Sequence, residues 1–159
     1  IPSGCSTDRE GSLLIPHERD GKVYGVKVRH IGKRKTAWPG SQFAHSLYHQ
    51  NGWRGVGVAQ RCVIAEGETD AWALSGVLAG SVDVFALPSG CSTWRQEWQK
   101  DLDGYDEIWL CLDNDRAGKM ARDKIERKLG FIGVRHLWVP PAFNDAREAI
   151  AGGWQPALK

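Results

Sequence analysis

Acidic side chains follow three of the four parallel strands that the sequence predicts. Glu66 ends the first strand and Asp70 lies four residues on, Asp113 and Asp115 follow the third strand, and Asp145 follows the fourth. Because the carboxyl ends of parallel strands meet at one edge of an open sheet, we expect these carboxylates to converge there. Grouped acids repel one another unless a cation lies between them, and Mg²⁺ and Mn²⁺ prefer oxygen ligands. Such an edge could hold one, two or more of these ions and stabilise in-line attack on a phosphate.

Two of these acids also have an ordinary structural explanation. Asp70 would lie in the first turn of a helix, where the helix dipole favours an acid. Asp145 would cap the last helix, with Glu148 at the spacing of a capping box. Asp113 and Asp115 directly follow a buried strand, where carboxylates lower stability unless they serve a function. The same reasoning favours a functional role for Glu66.

A basic stretch without an acid precedes the acidic half of the chain. Its cations are Lys22, Lys27, Arg29, Lys33, Arg34 and Lys35. Residues 1–61 hold ten Lys and Arg against four Asp and Glu, whereas residues 62–159 hold eleven against fifteen. This asymmetry predicts a surface for a polyanion beside a carboxylate-rich site, although a solvated hairpin is the alternative. Trp38, next to these cations, could stack on a base or simply pack.

Alternating apolar runs and helical patterns place the acids on a doubly wound α/β domain. Strands are predicted at 62–66, 82–87, 107–113 and 134–140, and helices at 69–80, 92–102, 116–130 and 144–153. This order predicts an open, mostly parallel four-stranded sheet flanked by helices.

A small basic β-rich subdomain is predicted in front of that sheet. Strand-like runs at 12–16 and 22–31 are separated by Arg-Asp-Gly, a turn signal. In the second run, alternation would turn Tyr24, Val26 and Val28 inward and leave Lys27 and Arg29 on the outer face. We therefore expect two domains, 1–61 and 62–159.

Eight tryptophans are an unusual number for 159 residues. Five fall on predicted elements of the second domain, where core packing explains them: Trp72, Trp94, Trp98, Trp109 and Trp138. The four cysteines are scattered and have no nearby histidine pair, so neither zinc nor a disulfide framework is expected. No apolar run approaches about 18 residues and no signal-peptide core is present, so a cytoplasmic protein without a membrane partner is expected. The chain starts at Ile1 and has one Met, so we expect it to be a piece of a longer polypeptide.

The acidic motifs resemble those of the TOPRIM domain. Residues 63–74 (VIAEGETDAWAL) place Glu-Gly after the first strand, and residues 108–121 (IWLCLDNDRAGKMA) place Asp-x-Asp after the third. The resemblance spans roughly residues 62–150. Residues 15–40 are similar to the basic subdomain that precedes TOPRIM in primases. Residues 140–150 are similar to the acidic motif of phage and mobile-element primases and primase–helicases.

The resemblance implies DNA-directed RNA primer synthesis from ribonucleoside triphosphates on a single-stranded DNA template. It implies Glu66 as the catalytic acid/base or metal-organising residue, and a cluster that binds Mg²⁺ or Mn²⁺ through Asp113, Asp115, Asp70 and Asp145. It implies Arg29 and Lys35 as the residues that hold template or nucleotide phosphate, and the basic stretch adds Lys27, Lys33 and Arg34 as candidates for nucleic-acid or nucleotide binding. A zinc-binding domain and a helicase, fused or separate, are the implied partners, in a bacterial cell or a phage-infected host.

One position departs from the primase pattern. Arg147 stands where replicative primases often carry a second acid after Asp145, and Glu148 is a candidate substitute. Two other functions stay open: a TOPRIM nuclease that hydrolyses phosphodiesters with the same acids, and a non-catalytic nucleic-acid-binding module. The basic subdomain argues against the nuclease.

Overall fold

The chain forms two sheets that are joined through a shared core. The computed structural model describes residues 4–32, 35–53, 59–78, 80, 82–90, 94–130 and 133–159. Across these residues, a four-stranded antiparallel sheet precedes a five-stranded sheet.

The first sheet is a hairpin with a short strand on either side. Its strands lie in the order β1 (Ser6–Thr7), β2 (Leu13–Arg19), β3 (Lys22–Arg29) and β4 (Thr36–Ala37). Asp20 and Gly21 join β2 to β3 with φ values of 54° and 76°. This left-handed pair is what a tight two-residue hairpin turn requires, so the predicted hairpin is confirmed.

The hairpin packs against the second sheet with the face that carries Ile15 and Lys27, although Val28 on the predicted inner face is also buried. Ile15 of β2 pairs with Lys27 of β3, and residues paired across an antiparallel ladder share a face. Ile15 is fully buried in the core of the second sheet, whereas Tyr24 and Val26 are only partly buried. The prediction of an outer face for Lys27 and Arg29 is therefore wrong. Alternation separates two faces of a strand, but it does not show which one a second sheet covers.

The second sheet contains the four predicted parallel strands and one antiparallel strand at its edge. Its strands are β5 (Tyr48–Trp53), β6 (Arg61–Ala65), β7 (Asp83–Ala86), β8 (Glu107–Cys111) and β9 (Val134–His136). They lie in the order β5-β7-β6-β8-β9. Tyr48 and His49 of β5 pair antiparallel with β7, although β5 precedes residue 61. The predicted TOPRIM-like α/β fold is confirmed.

A helix follows each parallel strand of the second sheet. In the described residues these helices are α1 (Glu68–Leu78), a 3₁₀ helix (Gln96–Leu102), α2 (Arg116–Leu129) and α3 (Ala146–Ala151). The helix predicted at 92–102 is a 3₁₀ helix over Gln96–Leu102, preceded by an extended Arg95 with φ −114° and ψ 142°, and residues 92–93 of the prediction lie outside the described residues. None of the helices in the described ranges is long and apolar enough to cross a membrane.

The two faces of the central strands supply two separate cores. On β6, Val63 and Ala65 belong to one core, and Cys62 and Ile64 belong to the other. α1 and α3 cover the first core, while α2 and the 3₁₀ helix cover the second. Because both faces are covered, the edge at the carboxyl ends of the strands is where this sheet offers polar groups to a ligand.

One tryptophan assigned to the core lies outside it. The other four are buried or partly buried in the cores: Trp72, Trp94, Trp98 and Trp109. Trp138 is 58 % exposed, so its predicted core position is wrong. β9 ends at His136, and beyond it Leu137 and Val139 are buried, which turns Trp138 outward. Its ring lies 4.2 Å from the Arg122 guanidinium.

Candidate active site

Five carboxylates line one cleft at the carboxyl edge of the second sheet: the buried Glu68 at the start of α1, and four others. Glu66 follows β6, Asp113 follows β8, Asp70 lies in the first turn of α1, and Asp145 precedes α3. The cleft has a volume of about 510 Å³. Because β6 and β8 are parallel neighbours in register, their ends bring Glu66 and Asp113 side by side.

Asp113 is an acid of this cleft with a strongly raised pKa. Its backbone N–H donates to Glu66 Oε2 at 3.2 Å. Burial is the largest cause and the charges of Glu66, Asp70 and Asp145 add to it, which raises the pKa of Asp113 to about 7. A bound cation would relieve the repulsion between these acids.

The Asp70 side chain lines the cleft and is buried, although it lies in the first turn of α1. It is 8 % exposed, and Arg147 N–H donates to its Oδ1 at 3.2 Å. Burial raises the pKa of Asp70 above its ordinary value. A Cβ on Gly67 would lie 3.1 Å from Asp70 Oδ2, so the glycine lets the carboxylate fold back over the loop.

Asp145 has a structural contact on each of its carboxylate oxygens. Its Oδ1 accepts from Glu148 N–H at 2.7 Å and caps α3, and its Oδ2 accepts from Arg147 Nη2 at 3.3 Å. Glu148 Oε2 accepts from Asn144 N–H at 3.4 Å, which turns the Glu148 side chain back along the cap. Arg147 therefore brings a cation to the acidic side of the cleft, at the position where the primase pattern has an acid.

Asp115 caps α2 and is not among the described residues that line the cleft. Its Oδ1 accepts from Gly118 N–H at 2.7 Å. Its role as a metal ligand stays a prediction. Asn114, between the two acids, donates from Nδ2 to Phe143 O at 2.7 Å, and Asn144 O accepts from Asn114 N–H at 2.8 Å. This side chain ties the loop after β8 to the segment before α3 and so holds Asp113 close to Asp145.

Basic side chains from β3 and from the residue before β4 also line the cleft. Lys27, Arg29 and Lys35 are among its lining residues. Arg29 Nη1 donates to Thr69 Oγ1 at 3.2 Å, so the β3 face that was expected to meet solvent instead contacts α1. Two further cations of the predicted basic cluster, Lys33 and Arg34, lie outside the described residues.

Trp38 lies apart from the lining residues of the cleft. Its side chain is 54 % exposed, and its backbone N–H donates to Val26 O at 2.8 Å beside β4. This exposure leaves ring surface available to a base, and the stacking role stays a prediction.

Glu68 is a site residue that sequence reasoning missed. It begins α1, and its carboxylate contacts His17 of β2 and Lys27 of β3. Burial acts to raise the pKa of Glu68, but the hydrogen bonds and charges of His17 and Lys27 outweigh it and lower that pKa to about 2. The only signal in the sequence is a third acid between Glu66 and Asp70. The turn at Pro88–Gly90 also lines the cleft, although its residue types predict only an ordinary turn.

The strand order and the acids at the strand ends define a TOPRIM-type domain. A family model described as Toprim-like matches residues 63–150, which is more than half of the chain. The chain therefore belongs to the Toprim-like family. Comparison with curated proteins gives no match.

Solved structures with the same fold are primase cores. The primase fragment of the bacteriophage T7 primase-helicase is 22 % identical, with a TM-score of 0.76 over 94 % of this chain and 61 % of its own. The DnaG primase catalytic domain bound to ssDNA is 19 % identical, with a TM-score of 0.73 over 95 % of this chain and 52 % of its own. The zinc-binding and RNA polymerase domains of the Aquifex aeolicus primase are 20 % identical, with a TM-score of 0.66 over 96 % and 41 %. This chain thus spans between two fifths and three fifths of each of these structures.

A divalent cation fits the acidic side of the cleft. TOPRIM domains of primases generally bind divalent metal ions. In the described part of the chain, no three Asp, Glu, His or Cys side chains are grouped closely enough to form a complete metal cage. Mg²⁺ does not need one, because it keeps several waters and binds through one or two carboxylates. The adjoining Glu66 and Asp113, with the raised pKa of Asp113, supply that donor set.

Proposed function

We propose that this chain is the catalytic core of a DNA primase, which copies a single-stranded DNA template into a short RNA primer. The observation that carries the proposal is a cleft of a primase-like fold that is lined by groups of both charges. Carboxylates line it together with the ammonium and guanidinium groups of Lys27, Arg29 and Lys35. A nucleotidyl transferase needs both, since it must bind phosphates and stabilise the charge that develops on them.

The reaction joins a primer to a ribonucleoside triphosphate. The 3′-oxygen of the primer attacks the α-phosphorus and forms a new P–O bond. The bond from the α-phosphorus to the oxygen that bridges to the β-phosphorus breaks, and pyrophosphate leaves. Glu66 accepts the proton of the attacking hydroxyl or organises the cation beside it.

The other acids would hold one or more Mg²⁺ or Mn²⁺ ions. Asp113 is the principal ligand, and Asp70, Asp145 and Asp115 complete the acidic cluster around it. When bound, such an ion acts as a Lewis acid on the phosphate oxygens. Arg29 and the lysines of the cleft neutralise the triphosphate or the template backbone. We assign Lys33, Arg34 and Trp38 to the same binding of nucleic acid or nucleotide.

The proposed partners follow from the same function. The template is single-stranded DNA and the substrates are ribonucleoside triphosphates. The related structures include a primase-helicase fragment and a primase with a zinc-binding domain. We therefore include a zinc-binding domain and a helicase, fused or separate, among the partners of this core. The reaction would take place in the cytoplasm of a bacterial cell or of a phage-infected host.

The test is synthesis on a defined template. The protein is incubated with single-stranded DNA, labelled ribonucleotides and Mg²⁺ or Mn²⁺, and the products are separated by size. We expect short RNA that is lost in Glu66→Gln and Asp113→Asn. Asp103→Asn, an exposed acid after the 3₁₀ helix, is the matched control and keeps full synthesis.

Each alternative function has its own outcome in this assay. Degradation of the template with loss of the same activity in Glu66→Gln would indicate the nuclease. Salt-sensitive binding with neither product would leave a nucleic-acid-binding module. Synthesis that survives both substitutions would contradict the assigned site.

A further inference from the structure

One carboxylate that borders the cleft, Glu68, is not used by the proposed chemistry. Its side chain is 0 % exposed, so it has no surface with which to contact a substrate. Unlike the other four acids of the cleft, it makes close contacts with cationic side chains of the other sheet.

The contacts of Glu68 come from the first sheet. His17 Nε2 lies 3.1 Å from Oε1, and Lys27 Nζ donates to the same oxygen. Lys35 Nζ lies 3.9 Å from Oε2. Among the described residues, Oε2 has no hydrogen-bond donor, so the Lys35 ammonium is the cation nearest to that oxygen in the described ion pairs.

Both lysines also face the cleft. The Lys27 side chain is 15 % exposed and the Lys35 side chain is 43 % exposed, and both line the cleft. An ammonium group has three donors, so a lysine that gives one donor to Glu68 keeps two for a ligand. Like charges repel, and without an anion between them the ammonium groups of Lys27 and Lys35 and the guanidinium group of Arg29 would move apart.

We propose that Glu68 is a positioning residue that holds Lys27 and Lys35 so that their ammonium groups bind phosphate in the cleft. The inference rests on the proposed function, because it assigns these lysines to phosphate. The phosphate belongs either to a nucleoside triphosphate or to the backbone of the template, and the chemistry of recognition is shared. His17 packs beside Lys27 on the same carboxylate oxygen and keeps that oxygen occupied.

A purely structural role is the competing explanation, and the chain contains a matched control for it. Asp101 is also buried; its Oδ1 accepts from Arg19 Nη1 of the same hairpin, and its Oδ2 accepts from Leu47 N–H at 2.9 Å. Asp101 and Arg19 do not line the cleft in the described structure. Asp101→Asn therefore removes a buried carboxylate that binds the hairpin through Arg19. The substitution leaves the lysines that are proposed to bind phosphate unchanged.

The direction in which Glu68→Gln changes the affinity for phosphate distinguishes positioning of the lysines from a simple effect of charge. Removing a negative charge beside a phosphate site should strengthen binding if charge alone mattered. Positioning predicts the opposite: Glu68→Gln weakens binding by about tenfold, whereas Asp101→Asn leaves it unchanged. Binding is measured by fluorescence anisotropy with a labelled oligo(dT) strand, and separately with a fluorescent ATP analogue and Mg²⁺. The probe that loses affinity identifies the source of the phosphate.

A double-mutant cycle tests whether Glu68 acts through the lysines. In a Lys27→Met/Lys35→Met background, Glu68→Gln should produce no further loss of affinity for either probe. The same loss in both backgrounds overturns the proposal, as does unchanged or tighter binding by Glu68→Gln. If Glu68→Gln does not fold, Glu68→Asp keeps the charge with a shorter reach, and wild-type binding by that variant overturns the proposal.

Binding also separates this inference from the proposed function. If Glu68→Gln weakens phosphate binding but the wild-type protein makes no RNA, then the positioning role holds and the primase assignment fails. If RNA is made and Glu68→Gln binds both probes like the wild type, then the primase assignment holds and the positioning role fails.

Discussion

Asp113 is the side chain of the cleft on which burial and repulsion by neighbouring acids act together to raise the pKa. Its carboxyl is partly buried beside Glu66, Asp70 and Asp145, and its pKa is raised from 3.8 to about 7. A proton or a metal ion relieves the same repulsion, so the two should compete for this group. The residue proposed to bind the cation is thus also one that destabilises the protein when no cation is present.

A pH-dependent stability follows for the metal-free protein. The folded state holds the Asp113 proton more tightly than the unfolded state does, so this stabilisation is present below about pH 4 and is lost as the pH rises through about 7. In EDTA, Asp113→Asn should match the wild type near pH 4 and exceed its free energy of unfolding by about 2 kcal/mol near pH 8, after allowance for the partial exposure of Asp113. Urea unfolding at several pH values measures the difference. A difference that does not change with pH would contradict the raised pKa.

Sequence position predicts the cleft acids better than it predicts their contacts. Glu66 and Asp113 could be found because each directly follows a buried parallel strand, where strand order fixes the place of the residue. The buried Glu68 could not, because its contacts with His17 and Lys27 join residues 51 and 41 positions apart in the chain. Such pairs depend on how two sheets pack, which a local pattern does not contain.

At the scale of elements, Asp115 couples the end of β8 to the start of α2. The cap bond to Gly118 N–H explains this acid without any metal, whereas the TOPRIM resemblance implies a ligand. Asp and Asn cap helices about equally well, and a cap lost to Ala costs about 1 kcal/mol. The two roles can therefore be separated by the choice of substitution.

We expect Asp115→Asn to keep wild-type thermal stability and to lose most of the primer synthesis if Asp115 also binds metal. Asp115→Ala should lose about 1 kcal/mol of stability in addition. Thermal unfolding and the synthesis assay are run on both variants. Full synthesis by Asp115→Asn would show that this acid serves only as a cap.

Gly118 fixes how closely α2 approaches the loop that carries Asp113. A Cβ at Gly118 would lie 2.3 Å from Asp113 O, whereas one at Gly76 in α1 would meet nothing within 4 Å. Gly118→Ala should therefore lower the free energy of unfolding by about 2–3 kcal/mol and displace Asp113. Gly76→Ala should raise it by about 0.5–1 kcal/mol, because alanine is the better helix former. Chemical denaturation of both variants provides the comparison, and equal shifts would contradict the close contact.

The periodicity of the sequence predicts most of the helices and strands, and each incorrect prediction has a local cause. Apolar runs predicted β6, β7 and β8, and a charged amphipathic pattern ending at Gly130 predicted α2. The helix predicted at 92–102 is a 3₁₀ helix over Gln96–Leu102, and an extended Arg95 precedes it. Trp138 was assigned to the core because its strand was expected to continue, whereas β9 ends at His136.

Over the whole molecule, the two halves of unequal charge contribute to one cleft. The basic first half contributes Lys27, Arg29 and Lys35, and the acidic second half contributes the carboxylates. Composition predicted a basic surface beside a carboxylate-rich site, and the cleft brings the two kinds of residue together. That arrangement depends on Ile15, which inserts the hairpin into the core of the second sheet.

Buried ion pairs also join the two sheets, so the cleft depends on residues from both halves of the sequence. Glu68 and Asp101 each bind basic residues of the hairpin from within the second half of the sequence. Removing one partner of a buried ion pair strongly lowers the stability of a protein, because the other charge is left buried and unpaired. The geometry of the cleft should therefore depend on the two sheets remaining packed together.

Primer extension is the most direct measurement of the central claim, which is that this cleft transfers nucleotides. A short RNA annealed to single-stranded DNA is supplied, so that extension does not depend on initiation, together with ribonucleotides and Mg²⁺ or Mn²⁺. The account predicts that the wild-type protein adds nucleotides and releases one pyrophosphate for each, and that Glu66→Gln reduces the rate by about 100-fold or more. Extension by Glu66→Gln at the wild-type rate, or a wild-type protein that binds the hybrid and the nucleotides without extending the primer, would contradict it.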